Sequence, residues 1–398
     1  MAVLVMGLAG SSGWGGEPTA VLLTADGTRE MARLGGVDAE GQLVFLVDDQ
    51  TRKLAVPDLV RFGNPREEIR DPLILTANGS RWVASQTFAV PIVMEDERVS
   101  FEAGLLGPLQ LPLAQLRGIL FFQPQNRRQR DALIDKVAAG QPDTDLVILA
   151  NGDQLSGLAL AVQDQRLEWQ GPAGRTTVPL DQVVALTLNP GLTQPAPNPA
   201  RRLLVGTRDG SRVVASSLAA GDPGVVIHTV DGPPREVAAA DVCYLQPLSG
   251  SVTYLSDLPL SKYRPQPYLS QSWPYRQDRN VLGGRLRCGG QLYEKGLGVH
   301  STAGLTYRLD RPYRRLEAEL GIDDTTGAAG SVVVRIYTDE GSGQWQPKFT
   351  SPVIRGGQAP VPLSVEIDGA QRLSLIIDLA DRGDQQDHLN LLDARLVP

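Results

Sequence analysis

Histidine, cysteine and lysine are scarce in this chain of 398 residues, which holds three, two and five of them. The two cysteines, Cys243 and Cys288, are too few for a disulfide scaffold or a cysteine zinc site, and a single bridge between them stays open. His228, His300 and His388 lie too far apart in sequence for a histidine zinc site to be argued from spacing. No apolar run approaches the eighteen or so residues of a membrane span, which predicts a chain that does not cross a bilayer with helices. The net charge is −7 and no dense basic cluster exists, so a nucleic-acid partner is disfavoured. A nucleophile elbow, a phosphate loop, a dinucleotide fingerprint and a His-Glu-x-x-His motif are all missing. Paired carboxylates are plentiful, but 45 acidic residues supply such pairs by number alone, so they give glycosidase chemistry little support.

A repeat is present. Four short apolar strands, Val21–Thr24, Leu73–Thr76, Leu146–Leu149 and Leu203–Val205, each run into an Asx-Gly pair: Asp26-Gly27, Asn78-Gly79, Asn151-Gly152 and Asp209-Gly210. Asx-Gly between apolar runs is the strongest short hairpin signal, because its residues tolerate positive φ. Further strands follow in each unit, and 28 to 34 residues separate the Asx from a closing Pro57, Pro112, Pro179 or Ala238. Such periodicity predicts four copies of one small β-unit. About five strands per unit suggests small barrels or rolls similar to Sm-like barrels, with sheets shared along a longer array as the alternative.

The expected layout is residues 19–66 as unit 1, 67–125 as unit 2, 143–190 as unit 3 and 201–248 as unit 4. Helical spacing over Arg127–Ala139, stopped by Gly140, predicts a connecting helix within 126–142. Four prolines between 190 and 199 predict a stiff linker at 191–200. Residues 1–18 carry a short apolar stretch and a small-residue exit, similar to a secretory signal but without a basic start. They point to a secreted, periplasmic or envelope location.

The last part of the chain is organised around Tyr293–Ser301. Gly296 and Gly298 flank one apolar residue, where a backbone special or a close approach needs glycine, and His300 follows. Leu305, Tyr307 and Leu309 then alternate with polar residues as in a half-buried strand. Near-continuous strand patterns and Gly-rich turns predict a β-sandwich over 251–398. The chain as a whole is thus expected to be all-β: an array of four small units with one inserted helix, then a sandwich.

Lys295–Ser301, Leu320–Asp324, Gly330–Val332, Asp387-His388 and Asp393–Leu396, in this order, resemble the NPCBM family of carbohydrate-binding modules, and Tyr254–Leu258 resembles its usual opening. The resemblance covers roughly 251–398 and implies a galactose-binding-like jelly roll of the kind appended to glycoside hydrolases. One departure is Leu389–Leu392, where the family tends to carry an aromatic. The resemblance implies a non-catalytic protein that binds carbohydrate, of a galactose type, with the β-units as spacer or interaction surface. The rival is a structural protein of the envelope that binds partner proteins and whose sandwich has lost its sugar site; a glycoside hydrolase is the third reading.

A sugar ring presents one apolar face and a rim of hydroxyls, so aromatic, charged and imidazole groups on loops are the candidates. These are Trp273, Arg276, His300, Asp387 and His388. Asp323 and Asp324 are adjacent carboxylates that need compensation; they are capping and turn-forming residues or, as the resemblance implies, ligands of a structural calcium ion.

Overall fold

The computed structural model describes residues 19–67, 72–85, 91–197, 199–222, 224–268, 271–381 and 383–398. The signal-like segment 1–18 lies outside the described residues. Strands dominate, and Arg127–Ala139 is the one α-helix among the described residues. Its start is capped by Asn126, whose side chain accepts the Gln129 N–H at 3.1 Å, and Gly140 with φ +74° ends it. No helix among the described residues is long and apolar enough to cross a membrane.

All four Asx-Gly pairs occupy the same place, the hairpin between the first and second strands of their unit. The flanking strands are Ala20–Thr24 with Arg29–Val37, Leu73–Thr76 with Arg81–Val83, Asp145–Leu149 with Gln154–Gln163, and Leu203–Thr207 with Arg212–Ala220. The glycine φ values fall between +90° and +92°. Each glycine N–H donates to the residue three before it, at 2.8–3.1 Å. Only the glycine of each pair has positive φ. The Asx instead works through its side chain: Asp26, Asn151 and Asp209 each accept the N–H two residues on, at 3.0 Å. The turn is therefore the three-residue kind, with a glycine bulge, rather than a two-residue turn with both positions at positive φ.

A second shared device closes each unit. A 3-10 turn at Val56–Asp58, Leu113–Gln115, Leu180–Gln182 or Ala239–Asp241 precedes the last strand. Its final carbonyl accepts the N–H of Ala25, Ala77, Ala150 or Arg208, just before the Asx, at 2.8–2.9 Å. The last strands, Leu59–Gly63, Leu116–Leu120, Val183–Thr187 and Val242–Pro247, pair with the first strand of their own unit. They also pair with each other across units: Phe62 opposite Leu245, and Gly118 opposite Thr187. Units 1 and 4 thus share a sheet, as do units 2 and 3, which is the shared-sheet alternative. One apolar cluster, from Leu22 to Leu245, runs through all four units.

The C-terminal part is a sandwich of two antiparallel sheets. One orders Arg276–Gln277, Gly296–His300, His388–Val397, Arg315–Ile322 and Val361–Glu366. The other orders Leu260–Pro265, Ala303–Arg308, Arg372–Leu379, Ser331–Asp339 and Gln346–Thr350. Leu297, Val299, Leu389 and Leu391 fill the core between them. The outer face of the first sheet is charged, yet buried under the array. Arg61 of unit 1, 2% exposed, donates from Nε to Asp393 at 2.7 Å and lies 3.3 Å from Glu319. Gln246 of unit 4 bonds the other oxygen of Asp393 at 2.9 Å. Arg287 of the sandwich reaches Asp131 on the helix at 2.6 Å and also pairs with Glu67.

Candidate functional site

The short strand Arg276–Gln277 pairs with Gly298 and Leu297, and His300 sits opposite His388 on the next strand. This pairing carries Trp273 back over the two histidines. Its ring stacks on His300 with centroids 5.0 Å apart and planes 9° from parallel. His388 lies 5.6 Å from Trp273 and 5.4 Å from His300, tilted to both. Tyr263 donates from its hydroxyl to the Trp273 carbonyl at 2.6 Å, and its ring packs on Tyr275 at 5.1 Å. The indole is half-buried, whereas His300 and His388 are 5% and 8% exposed. The histidines are therefore the bed on which the indole rests, and the indole is the part nearest solvent.

His300 turns its Nδ1 to the carbonyl of Ser301, a contact that places the ring proton on that nitrogen. Burial, reinforced by the neighbouring His300, pushes His388 down to about 4, so it is neutral near pH 7. Its Nδ1 is buried without a hydrogen-bond partner among the described residues. Arg276 is exposed on the same short strand, with Nε donating to the Val281 carbonyl at 3.1 Å.

Asp387 differs from its expected role. It is fully buried and both oxygens are engaged, one by Ser301 Oγ at 2.5 Å and one by the Ser331 N–H at 2.7 Å. Burial raises its pKa, and the two hydrogen bonds oppose that. It ties two loops together beneath the histidines instead of facing a ligand. Asp323 and Asp324, expected as turn-forming residues or calcium ligands, are both held by neighbouring donors. Asp323 is fully buried and accepts from Thr325 N–H, Thr325 Oγ1, Asn280 and Asn390, the last at 2.7 Å. The two oxygens of Asp324 accept the Gly289 and Gly290 N–H groups at 2.9 Å each. These donors compensate both carboxylates, as turn-forming and capping aspartates require. Among the described residues, no group of three or more His, Cys, Asp or Glu side chains gathers as metal ligands would.

Sequence reasoning did not single out Tyr263, Ser301, Asn280 and Asn390, which position the candidate residues. The partners are separated by 10 to 86 residues and meet only through the tertiary fold, which no local pattern encodes. Cys243 and Cys288 are free thiols here, so the bridge left open by sequence is not formed. Trp345, 38% exposed, carries Arg372 over its ring at 5.1 Å on the other sheet, away from the Trp273 cluster.

Comparison with known proteins bears on the sandwich. A Renibacterium salmoninarum protein named for endo-alpha-N-acetylgalactosaminidase activity is 32% identical over 98 residues, 25% of this chain; the chain spans about 6% of that protein's length. Among solved structures, CBM51-2 with INT domains of Clostridium perfringens ZmpB, in complex with GlcNAc, is 24% identical. It covers 43% of this chain and 36% of that one, with a TM-score of 0.33. CBM51 from Clostridium perfringens GH95, in complex with methyl-galactose, is 22% identical, covers 37% and 99%, and has a TM-score of 0.32. The description NPCBM/NEW2 domain matches residues 251–397, so the C-terminal sandwich resembles in full length the family that the Lys295–Ser301 motif suggests.

Proposed function

We propose that this protein binds carbohydrate, without catalysis, at the end of the sandwich that carries Trp273. The observation that carries the reading is the half-buried indole, stacked on one face by His300 and three residues before the exposed Arg276. An aromatic face of this kind matches the C–H face of a pyranose, and an exposed guanidinium can donate to the hydroxyl rim. His300 and His388 act as the support that holds the indole's angle, and Asp387 secures that support from below. The NPCBM/NEW2 match and the sugar-bound CBM51 structures support a carbohydrate ligand; a galactose-type sugar is the choice we would test first.

The array is read as the rigid mount of the sandwich, an inference supported by the buried Arg61–Asp393 and Arg287–Asp131 pairs. A secreted or envelope location rests on the apolar start of the sequence. The structural alternative, with partner proteins on the array, keeps its weight from the same buried junction, which would serve a scaffold equally well.

Calorimetry of the full chain with methyl-galactose and with GlcNAc tests the reading. A shallow site with few hydrogen bonds should bind in the range of about −4 to −8 kcal/mol, millimolar to micromolar. Trp273→Ala should weaken binding at least tenfold with the fold intact. Equal binding by both proteins would remove Trp273 from the site, and no binding of any saccharide would favour the scaffold.

A further inference from the structure

A second feature lies outside the sandwich end, where units 2 and 4 meet the loop before the small hairpin Leu286–Tyr293. Arg81 and Arg212 stand directly opposite each other on neighbouring antiparallel strands, the one register pair that joins these two units. Like charges at directly opposite positions repel. A narrow cleft of about 30 Å³ opens at this point, and Arg66, Arg81, Arg130, Arg212, Arg285 and Glu67 contribute to its walls.

Among the described residues, the acids nearby are already shared out. Glu294 pairs with both Arg212 and Arg285, the latter at 2.6 Å. Glu67 pairs with Arg130 at 3.0 Å and with Arg287. The half-buried side chain of Arg81 makes no hydrogen bond or salt bridge among the described residues, and Nε of Arg212 is buried without an acceptor. Burial first, then the adjacent Arg212 and Arg285, push Arg81 well below the ordinary arginine range. Arginine does not release its proton under physiological conditions, so this shift expresses the cost of a cation crowded by Arg212 and Arg285, which Glu294 offsets only in part. A protein seldom leaves such a group without a counter-charge.

We propose that this cleft binds a small oxyanion group, sulfate or phosphate in chemistry, gripped by Arg81 with Arg212 and Arg285. A cleft of this size does not admit a sugar ring, so only the anionic group enters. Planar guanidinium forks match tetrahedral oxyanions in a paired geometry that lysine cannot reproduce. The group can arrive as the free inorganic ion or as a substituent on a saccharide.

The test uses the full chain in calorimetry with inorganic phosphate, inorganic sulfate, galactose 6-sulfate and galactose, at constant ionic strength. Wild type should bind one oxyanion per chain. Arg81→Gln should lose at least tenfold in affinity, and Arg81→Lys should lose less. In the absence of anions Arg81→Gln should melt at or above the wild-type midpoint, because an unpaired cation has been removed. If galactose 6-sulfate binds tenfold or more tighter than sulfate, the saccharide is the source; equal affinities make it the free ion. Trp273→Ala should leave oxyanion binding unchanged, which separates this site from the sugar platform. Absence of saturable oxyanion binding, unchanged affinity in Arg81→Gln, or a clearly lower midpoint for Arg81→Gln without anions would each overturn the proposal.

Discussion

At the scale of single residues, His388 couples the Trp273 cluster to pH. In the unfolded chain its imidazole takes a proton near 6.5, whereas the folded protein holds it neutral down to about 4. Across that window the unfolded state binds more protons, so stability falls as pH drops from about 6.5 to 4. The loss should be on the order of 3 kcal/mol. Asp387 acts in the opposite sense: its raised pKa gives stability that is lost as pH rises just above the ordinary carboxylate value, and this partly offsets the His388 slope near pH 4. His388→Gln should flatten the acid side of a plot of unfolding midpoint against pH. An unchanged slope would mean that His388 titrates as in the unfolded chain.

At the scale of elements, the glycines of the Gly296–His300 strand set how closely its neighbours approach. A Cβ on Gly298 would lie 2.4 Å from the Arg279 carbonyl oxygen and 2.5 Å from the Asn280 carbonyl carbon. These are backbone atoms and cannot swing aside. Gly298→Ala should cost about 1–3 kcal/mol in chemical denaturation, as overpacked sites do. It should also weaken saccharide binding, because the displaced segment includes Arg276 and leads back to Trp273. This strand was legible in the sequence because glycine, histidine and alternation are local signals. The four hairpins were legible for the same reason, down to the glycine that takes positive φ. What the sequence concealed was every contact made by register: Trp273 over His300, Asp387 under Ser301, and Asn280 and Asn390 closing around Asp323. Adjacent carboxylates read as cation ligands because their N–H and amide donors come from elements distant in the chain.

At the scale of the whole molecule, the sandwich and the array share a buried ionic seam. Arg61, Asp393, Glu319 and Gln246 bring together unit 1, unit 4 and two strands of the sandwich. Arg61→Met would leave Asp393 and Glu319 buried with fewer cations, a change that typically costs about 3–5 kcal/mol. Thermal unfolding of the full chain should therefore shift down in one transition for both parts. If only the array transition moved, the two parts would be uncoupled. Saccharide affinity should likewise be measured on the full chain, since residues 251–398 alone would expose a face whose charges have their partners elsewhere.

The nested sheet pairing carries a consequence for biosynthesis. Unit 2 joins unit 3 through Gly118 and Thr187, while unit 1 waits for unit 4, with Phe62 meeting Leu245. The pairs close like brackets, the inner before the outer. As the chain leaves the ribosome, the inner pair can dock once unit 3 is complete, but the closing edge of unit 1 stays bare until residue 245 has emerged. An exposed strand edge of that kind is a template for wrong partners. Nascent chains halted just after unit 3 should therefore be the most prone to aggregate, and release should follow once unit 4 is added.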